Sequence, residues 1–496
     1  MIPLIGYDNN GQVFDAGDFI IRKIKSEYIN KAVEIFQIYR DNKLHNYGIV
    51  KSQHDEITNC LIHEKHIITY PHEWTANMFK EAVLFHIGLF KELDKFGLTL
   101  KDAVPLNILF DYCKPVFIDF LSLVKKENLK DESWLTSGEC SQDPRLIVIT
   151  KMLIPFLLIP FVVLYAKKYN EFRNILFNKA CNSSLGGTGW SDLAFINNAP
   201  LKIKIKRQVK AVKNCLFRDE IISSMDDAII RLKKIKNIAS KKGDDHAFEL
   251  LLNEIYMLIN NCDVTPVSSA YASYYEEKNE IFNFTDKNTW KNKQINVYRV
   301  LENQRPKQVL DIGSNTGWFS RLAETLGARV IAIDVDESSI DRLYLYSREN
   351  NLRILPLLMS FQDFNKELYG LIDEDPVYAG RDFVNNPMLR PATQRLKSDL
   401  VLCLGLLHHL ILGMGDSFCN VFSVLGELTQ KTLIIEFIDL SDPLIRNEPS
   451  YFKNLSSYNK NNYNMEIAIA EGLKKFSSIN ITDSHPETRK LLIFQK

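Results

Sequence analysis

An α/β chain is predicted, with a doubly wound parallel sheet in its C-terminal part preceded by an α+β region and a helical lobe. Three observations carry that expectation. An apolar strand at 309–312 runs into a glycine-bearing turn, a helix and a second strand that ends on Asp334, the pattern of a βαβ unit. Further apolar strands at 355–360, 399–405 and 432–437 continue the alternation. Before about residue 145 strand and helix patterns are mixed, and from there to about 260 the pattern is helical.

The elements follow in order. Asn9-Asn10-Gly11 signals a hairpin, and residues 18–24 are rich in strand formers. Ser26 is placed to cap a helical pattern through Ala32, Ile35 and Phe36, and a strand-like stretch ends at Ile67–Pro71. A long amphipathic helix is expected from Trp74 to Phe96, stopped by Gly97. Two short strands at 107–110 and 115–118 follow across a turn. The uncharged run 152–166 is shorter than the roughly 20 residues a spanning helix needs, and Pro155 and Pro160 interrupt it, so a buried helix is expected and no membrane partner. Four segments result: an α+β region at 1–145, a helical lobe with a basic segment at 146–265, a helical connector at 266–306, and a doubly wound domain at 307–496.

Composition bounds the function. The 496 residues correspond to about three domains of roughly 150 residues each, and 46% hydrophobic with 25% charged residues excludes a largely disordered, collagenous or rod-like chain. Lys+Arg and Asp+Glu each total 61, so no global basic field points to nucleic acid. Locally, 202–242 carries 13 Lys/Arg against 4 Asp/Glu, a net of +9. That segment reads either as a solvated helical face or as a phosphate-facing patch for RNA or a nucleotide; no interleaved aromatics support single-strand stacking. The eight cysteines form no CxxC pair and no signal peptide is evident, so reduced thiols and a cytoplasmic protein are expected.

The chemistry is concentrated after residue 308. A dinucleotide turn wants G-x-G-x-x-G so that a pyrophosphate can approach the backbone. Here Asp311-Ile312-Gly313-Ser314-Asn315-Thr316-Gly317 gives D-x-G-x-x-x-G, with an acid where a phosphate would be repelled. An acid there suits a cationic amino group, and Asp334 at the end of the second strand suits a pair of ribose hydroxyls. A ligand with an ammonium, a ribose and no phosphate is S-adenosylmethionine.

On these residues the stretch from about Tyr274 to Lys496 resembles the class I, Rossmann-like SAM-dependent methyltransferases. The resemblance implies that Asp311, Gly313, Ser314, Asn315 and Gly317 line the methionine part of S-adenosylmethionine and that Asp334 holds its ribose. An acid after the third strand, often present in that family to meet the adenine amino group, is replaced here by Ser360, with Asp363 nearby. The loop after strand four, usually facing the transferring methyl, carries His408 and His409, candidate bases or orienting groups because imidazole titrates near neutrality. The other reading is one capping and one exposed histidine. Glu436, ending strand five, is read as a substrate contact or a structural hydrogen bond, and Cys403 lies in the strand rather than the loop. The sulfonium is already activated, so no metal is implied. The stretches D-I-G-S-N-T-G, L-L-H-H-L and I-I-E-F also resemble bacterial, methyltransferase-like nodulation host-specificity proteins. The acceptor, whether small molecule, glycan, RNA or protein, is not identified by any of these.

The N-terminal half resembles protein and aminoglycoside kinases. Asp102 and Asn107 stand five apart, Asp119 lies in Val116-Phe117-Ile118-Asp119-Phe120, and the order of strands and helices matches. The resemblance implies Asp102 as acceptor of a substrate hydroxyl proton, Asn107 and Asp119 as magnesium ligands with Mg-ATP as cofactor, and Lys23 or Arg22 paired with Glu27 or Glu34. The histidine usual two residues before the first acid is Leu100 here, no G-x-G-x-x-G loop is present, and Leu121 follows Phe120 where glycine is usual.

Overall fold

The computed structural model describes residues 2–4, 10–132, 144–165, 167–170, 172–174, 176, 244–277, 280, 282–365, 390–447 and 462–496. The basic segment 202–242 lies outside the described residues. The chain divides into two compact units, one made mainly of residues up to Val264 and the other mainly of residues from Thr265 onward.

In the first unit β1 (Ile2–Leu4), β2 (Gly11–Asp15), β3 (Phe19–Ile24), β4 (Ser52–Asp55) and β5 (Cys60–Glu64) form an antiparallel sheet in the order β1-β2-β3-β5-β4. The helix Ile29–Asp41, between β3 and β4, buries Ala32, Ile35 and Tyr39 along one stripe. Ser26 does not cap it: a short 3-10 turn, Ser26–Tyr28, intervenes, and the Ser26 hydroxyl donates to Glu27. The stretch at 67–70 is irregular rather than a strand, because β5 pairs β3 only as far as Glu64. Helix Ala76–Asp94 has the expected amphipathic pattern, and Gly97 adopts the left-handed φ of +70° that ends it. β6 (Leu98–Leu100) pairs with β9 (Leu123–Lys125), and β7 (Ile108–Asp111) with β8 (Lys114–Phe117). These two small ladders hold the loop bearing Asp102, Asn107 and Asp119. The apolar run lies in helical segments Ile149–Leu158, in wide π turns, and Ile159–Tyr165. Proline supplies no N–H to an α ladder, which accounts for widened turns around Pro155. Among the described residues no helix is long and apolar enough to cross a membrane.

The second unit is built on a seven-stranded sheet of β10 (Gln308–Ile312), β11 (Arg329–Asp334), β12 (Ile354–Leu358), β13 (Ser398–Cys403), β14 (Thr429–Ile438), β15 (Ser478–Asp483) and β16 (Arg489–Gln495). Its order is β12-β11-β10-β13-β14-β16-β15, with β10–β14 parallel and β16 antiparallel to both neighbours. Parallel strands covered on both faces read as continuous apolar runs, as Val330–Ile333 and Leu400–Cys403 do, all fully buried. The strand order reverses between β10 and β13, so the carboxyl ends of these strands open the crevice where such sheets bind ligands. Helices Trp318–Thr325, Glu337–Glu349, Phe418–Leu428 and Met465–Leu473 accompany the sheet. Trp318 anchors the core between Trp290 and Phe284, with ring centroids 5.4 and 5.2 Å away in edge-on geometry. The doubly wound sheet expected from the sequence is therefore present, with β15 added at its edge.

Candidate functional site

The glycine turn is fixed by the sheet beneath it. The amides of Gly313 and Ser314 both donate to the Ile333 carbonyl, at 2.8 and 3.0 Å, tying the turn to the end of β11. Gly313, Asn315 and Gly317 all have positive φ, at +77°, +53° and +85°. A Cβ on Gly317 would lie 2.5 Å from Leu343 Cδ1, so this glycine also lets the following helix pack closely. The Ser314 hydroxyl is buried and has no hydrogen-bond partner within the protein. A buried hydroxyl without a partner is costly.

Two carboxylates flank the turn. Asp311 is 2% exposed and accepts a hydrogen bond from Ser320 Oγ at 2.6 Å. Burial pushes its carboxyl up to about 6, against the pull of the Ser320 hydrogen bond, and the nearby Asp334 adds to the rise. Asp334 accepts from the amides of Asn315 (2.7 Å) and Asp336 (2.9 Å), one on each oxygen. Burial raises it too, while these amides oppose the rise. Ser360 ends the loop after β12, its Oγ accepting from the Gln362 amide at 3.4 Å.

The connector ahead of the sheet reaches the same place. Asn315 Nδ2 donates to the Tyr271 carbonyl at 2.7 Å, and Ser269 Oγ donates to Asp336 at 2.7 Å. Tyr275 is buried, and its phenol is raised well above 10 by burial and by the neighbouring Asp311. The YxxYY-type tyrosine cluster before the first strand was the available signal, but nothing local says which strand end it covers.

Across the crevice Gly405, at φ +67°, and Leu406 begin the loop after β13. Leu406 would touch a Cβ on Gly313 at 3.6 Å, so the two loops abut. His408 is buried and His409 half-buried, with ring centroids 4.1 Å apart. Neither matches the reading of one capping and one exposed histidine: His408 precedes a π turn without a side-chain cap. Burial, then the His409 and Arg489 charges, push His408 down to about 2, and burial also lowers His409. Burial thus favours the neutral form of both rings. Cys403 is buried at the end of β13 and driven up to about 12, by burial first, then by Asp311 and Glu436, so it stays a thiol.

Glu436 is fully buried and takes structural bonds: Lys293 Nζ donates to Oε2 at 2.7 Å and the Ser484 hydroxyl donates to Oε1. Lys293 comes from helix Asn292–Gln304, 143 residues away in sequence, and was not foreseen. Beyond it Arg489 grips Asp442 through Nε (2.8 Å) and Nη2 (3.2 Å), with Thr488 Oγ1 at 2.6 Å. A separate hollow of about 450 Å³, lined by Lys397, Thr429 and Lys475 among others, opens at the amino-terminal ends of β13 and β14, away from this crevice.

In the first unit the kinase-like residues also come together. Asn107 lies close enough to Asp102 to lower its proton affinity, yet Asp102 Oδ1 and Asn107 Nδ2 are both closed to solvent without a hydrogen-bond partner in the protein. Burial, then the charge of Asp119, push Asp102 up to about 7. Arg22, not Lys23, faces inward: its Nη1 lies 3.1 Å from Asp119 Oδ1, whereas Lys23 is exposed over the Phe14 ring. Glu34 pairs instead with Lys125. Phe120 packs against Tyr39, Phe36 and His63 at 5.2, 6.2 and 6.0 Å.

The second unit thus has the fold of the class I methyltransferases, with the acid-flanked glycine turn at its switch point. No protein-family model matches the chain. The chain is 24% identical over 458 residues to nodulation protein NoeA of Rhizobium meliloti (strain 1021), covering 88% of this chain and 85% of that protein. This agrees with the resemblance to nodulation host-specificity proteins read from the sequence. Among solved structures, the bifunctional kinase-methyltransferase WbdD aligns at 17% identity and a TM-score of 0.29, over 44% of this chain and 41% of that one. TehB from Haemophilus influenzae aligns at 14% identity and a TM-score of 0.26, over 46% of this chain and 67% of that one.

Proposed function

We propose that the second unit is an SAM-dependent methyltransferase acting on an O, N or C nucleophile, and that the first unit recognises the substrate. The observation that carries this reading is the pair of buried carboxylates, Asp311 and Asp334, at the ends of adjacent strands on either side of a glycine turn. Asp334, already anchored by two amides, is assigned the ribose hydroxyls, and Asp311 the methionine ammonium. Gly313, Ser314, Asn315 and Gly317 shape the turn beside them, with the unpartnered Ser314 hydroxyl assigned as a further contact, and Ser360 is assigned to the adenine side. When bound, SAM supplies an activated sulfonium methyl. The chain's own contribution is alignment, exclusion of water and proton handling. His409, the more exposed ring, is assigned to accept a hydrogen bond from the methyl acceptor, with His408 packed behind it.

The test is calorimetric titration with SAM and S-adenosylhomocysteine. Binding at micromolar strength that weakens about 100-fold in Asp334→Ala supports the reading, since the variant loses hydrogen bonds to a charged acceptor. A well-folded protein that binds neither ligand refutes it.

A second reading, phosphotransfer or nucleotide binding by the first unit, is favoured by one observation: Asp102, Asn107 and Asp119 converge, with an unpartnered Asp102 Oδ1. Asn107 and Asp119 would hold the magnesium of Mg-ATP, and Asp102 would take a hydroxyl proton. Mg-ATP titrated into the same protein, with Asp119→Asn as control, decides it: no heat of binding removes this reading and leaves the first intact.

A further inference from the structure

Resting on the methyltransferase reading, one charge of the ligand still lacks a partner. The methionine portion of SAM is a zwitterion, and Asp311 answers only its ammonium. A carboxylate taken out of water without a cation is heavily penalised. We infer that Lys293, held by buried Glu436, is the cation that receives the carboxylate of S-adenosylmethionine.

The placement supports this from four sides. Lys293 Nζ lies 2.7 Å from Glu436 Oε2 and 5.4 Å from the centroid of Phe319, which stands two residues beyond Gly317 at the start of the helix leaving the turn. The same Glu436 oxygen would be 3.7 Å from a Cβ on Gly405, so the pair underlies the loop that abuts Gly313. The Lys293 charge also acts on Asp311, lowering its proton affinity. The ammonium is therefore among the groups surrounding the methionine end of the crevice, not its adenine end.

Exposure separates the roles. Glu436 is fully buried, whereas the Lys293 side chain is 18% exposed. An ammonium has three donors, and the bond to Glu436 uses one. Glu436 and Ser484 are positioning residues: Glu436 fixes the direction of Nζ, and Ser484 fixes Glu436. Among the described residues Arg489 is a second cation acting on Glu436, but its fork is committed to Asp442 by two bonds. Lys293 keeps donors beyond the one given to Glu436.

The test compares SAM with decarboxylated SAM, which keeps the adenine, ribose, sulfonium and amine and lacks only the carboxylate. Lys293→Met alone strands Glu436 as a buried charge, so Lys293→Met/Glu436→Gln, which removes both charges, is measured beside it, with thermal melting as the check on folding. Wild-type protein is expected to prefer SAM by about 10- to 100-fold, the scale of a charge-assisted bond. The double variant should bind decarboxylated SAM as wild type does and lose that preference. If the preference survives in the double variant, if wild type shows none, or if both ligands weaken equally, the assignment is overturned while the methyltransferase reading stands. If wild type binds neither ligand, both fall together.

Discussion

Lowering the pH should weaken SAM binding through Asp311, and the structure sets the scale. Its carboxyl, 2% exposed, is pushed up to about 6, while its proposed partner is an ammonium that stays protonated well above that pH. Binding requires the ionised carboxylate. With a midpoint of about 6, roughly nine-tenths of Asp311 is ionised at about pH 7 and roughly one-tenth at about pH 5, so Kd should rise about tenfold between them. Binding near pH 6 should also release about half a proton, which calorimetry in two buffers of different ionisation enthalpy measures directly. Asp311→Asn should bind weakly and with a flatter profile. Stability runs the other way. A carboxyl whose folded value lies above its unfolded value favours the folded state when protonated, so its contribution in ligand-free protein grows as pH falls from about 6 towards about 4. Weaker binding and a gain in ligand-free stability from one residue over one pH window is a distinctive pair of signs. A Kd unchanged within about twofold between about pH 7 and about pH 5, or an equal slope in Asp311→Asn, would refute the reasoning.

Two further outcomes follow from packing and pairing. Gly317→Ala places a methyl 2.5 Å from Leu343 Cδ1 at a φ of +85°; left-handed strain of about 1–2 kcal/mol and overpacking of about 1–3 kcal/mol should lower the melting temperature by roughly 5–15 °C, and circular dichroism showing a change under about 2 °C would contradict it. Burial alone would raise Asp442, but Arg489, Thr488 and the Leu444 amide hold it down to about 2, so its stabilisation is present above about pH 4 and is lost as pH falls towards about 2. Asp442→Asn, leaving the Arg489 charge behind, should cost about 3–5 kcal/mol in urea denaturation, and Asp442→Asn/Arg489→Met much less; equal losses in both would count against a coupled pair.

The parts of this molecule legible in the sequence are those whose meaning is local. From Val309 to Asp334 strand, turn, helix and strand are contiguous, and each residue's role follows from its position in that run. Asp102, Asn107 and Asp119 were legible for the same reason, since short ladders bring them together. Lys293, Tyr275 and Ser484 were not, because their functions depend on partners far along the chain. The Lys293–Glu436 bond closes over 143 residues, and no periodicity in helix Asn292–Gln304 marks one lysine as inward. β15 was missed for another reason: at the sheet edge, its Ser478–Asp483 sequence is polar and largely exposed, and only pairing with β16 makes it a strand. Choosing between Arg22 and Lys23 likewise needed the pleat, since neighbouring residues in a strand face opposite sides.

The contacts made by the residues ahead of the sheet set where a transplantable piece of this chain can begin. A fragment starting at Lys307 would carry every strand and both carboxylates, yet remove Tyr275 from beside Asp311 and the Tyr271 carbonyl from Asn315. It would also take Lys293 from Glu436, leaving a buried anion with a single hydroxyl donor. Such a piece would have the outline of the sheet and the wrong charge at its mouth. Any chimaera or truncation meant to retain ligand recognition therefore has to start near Thr265, and a protease that cuts between there and the first strand should silence the crevice without unravelling the sheet.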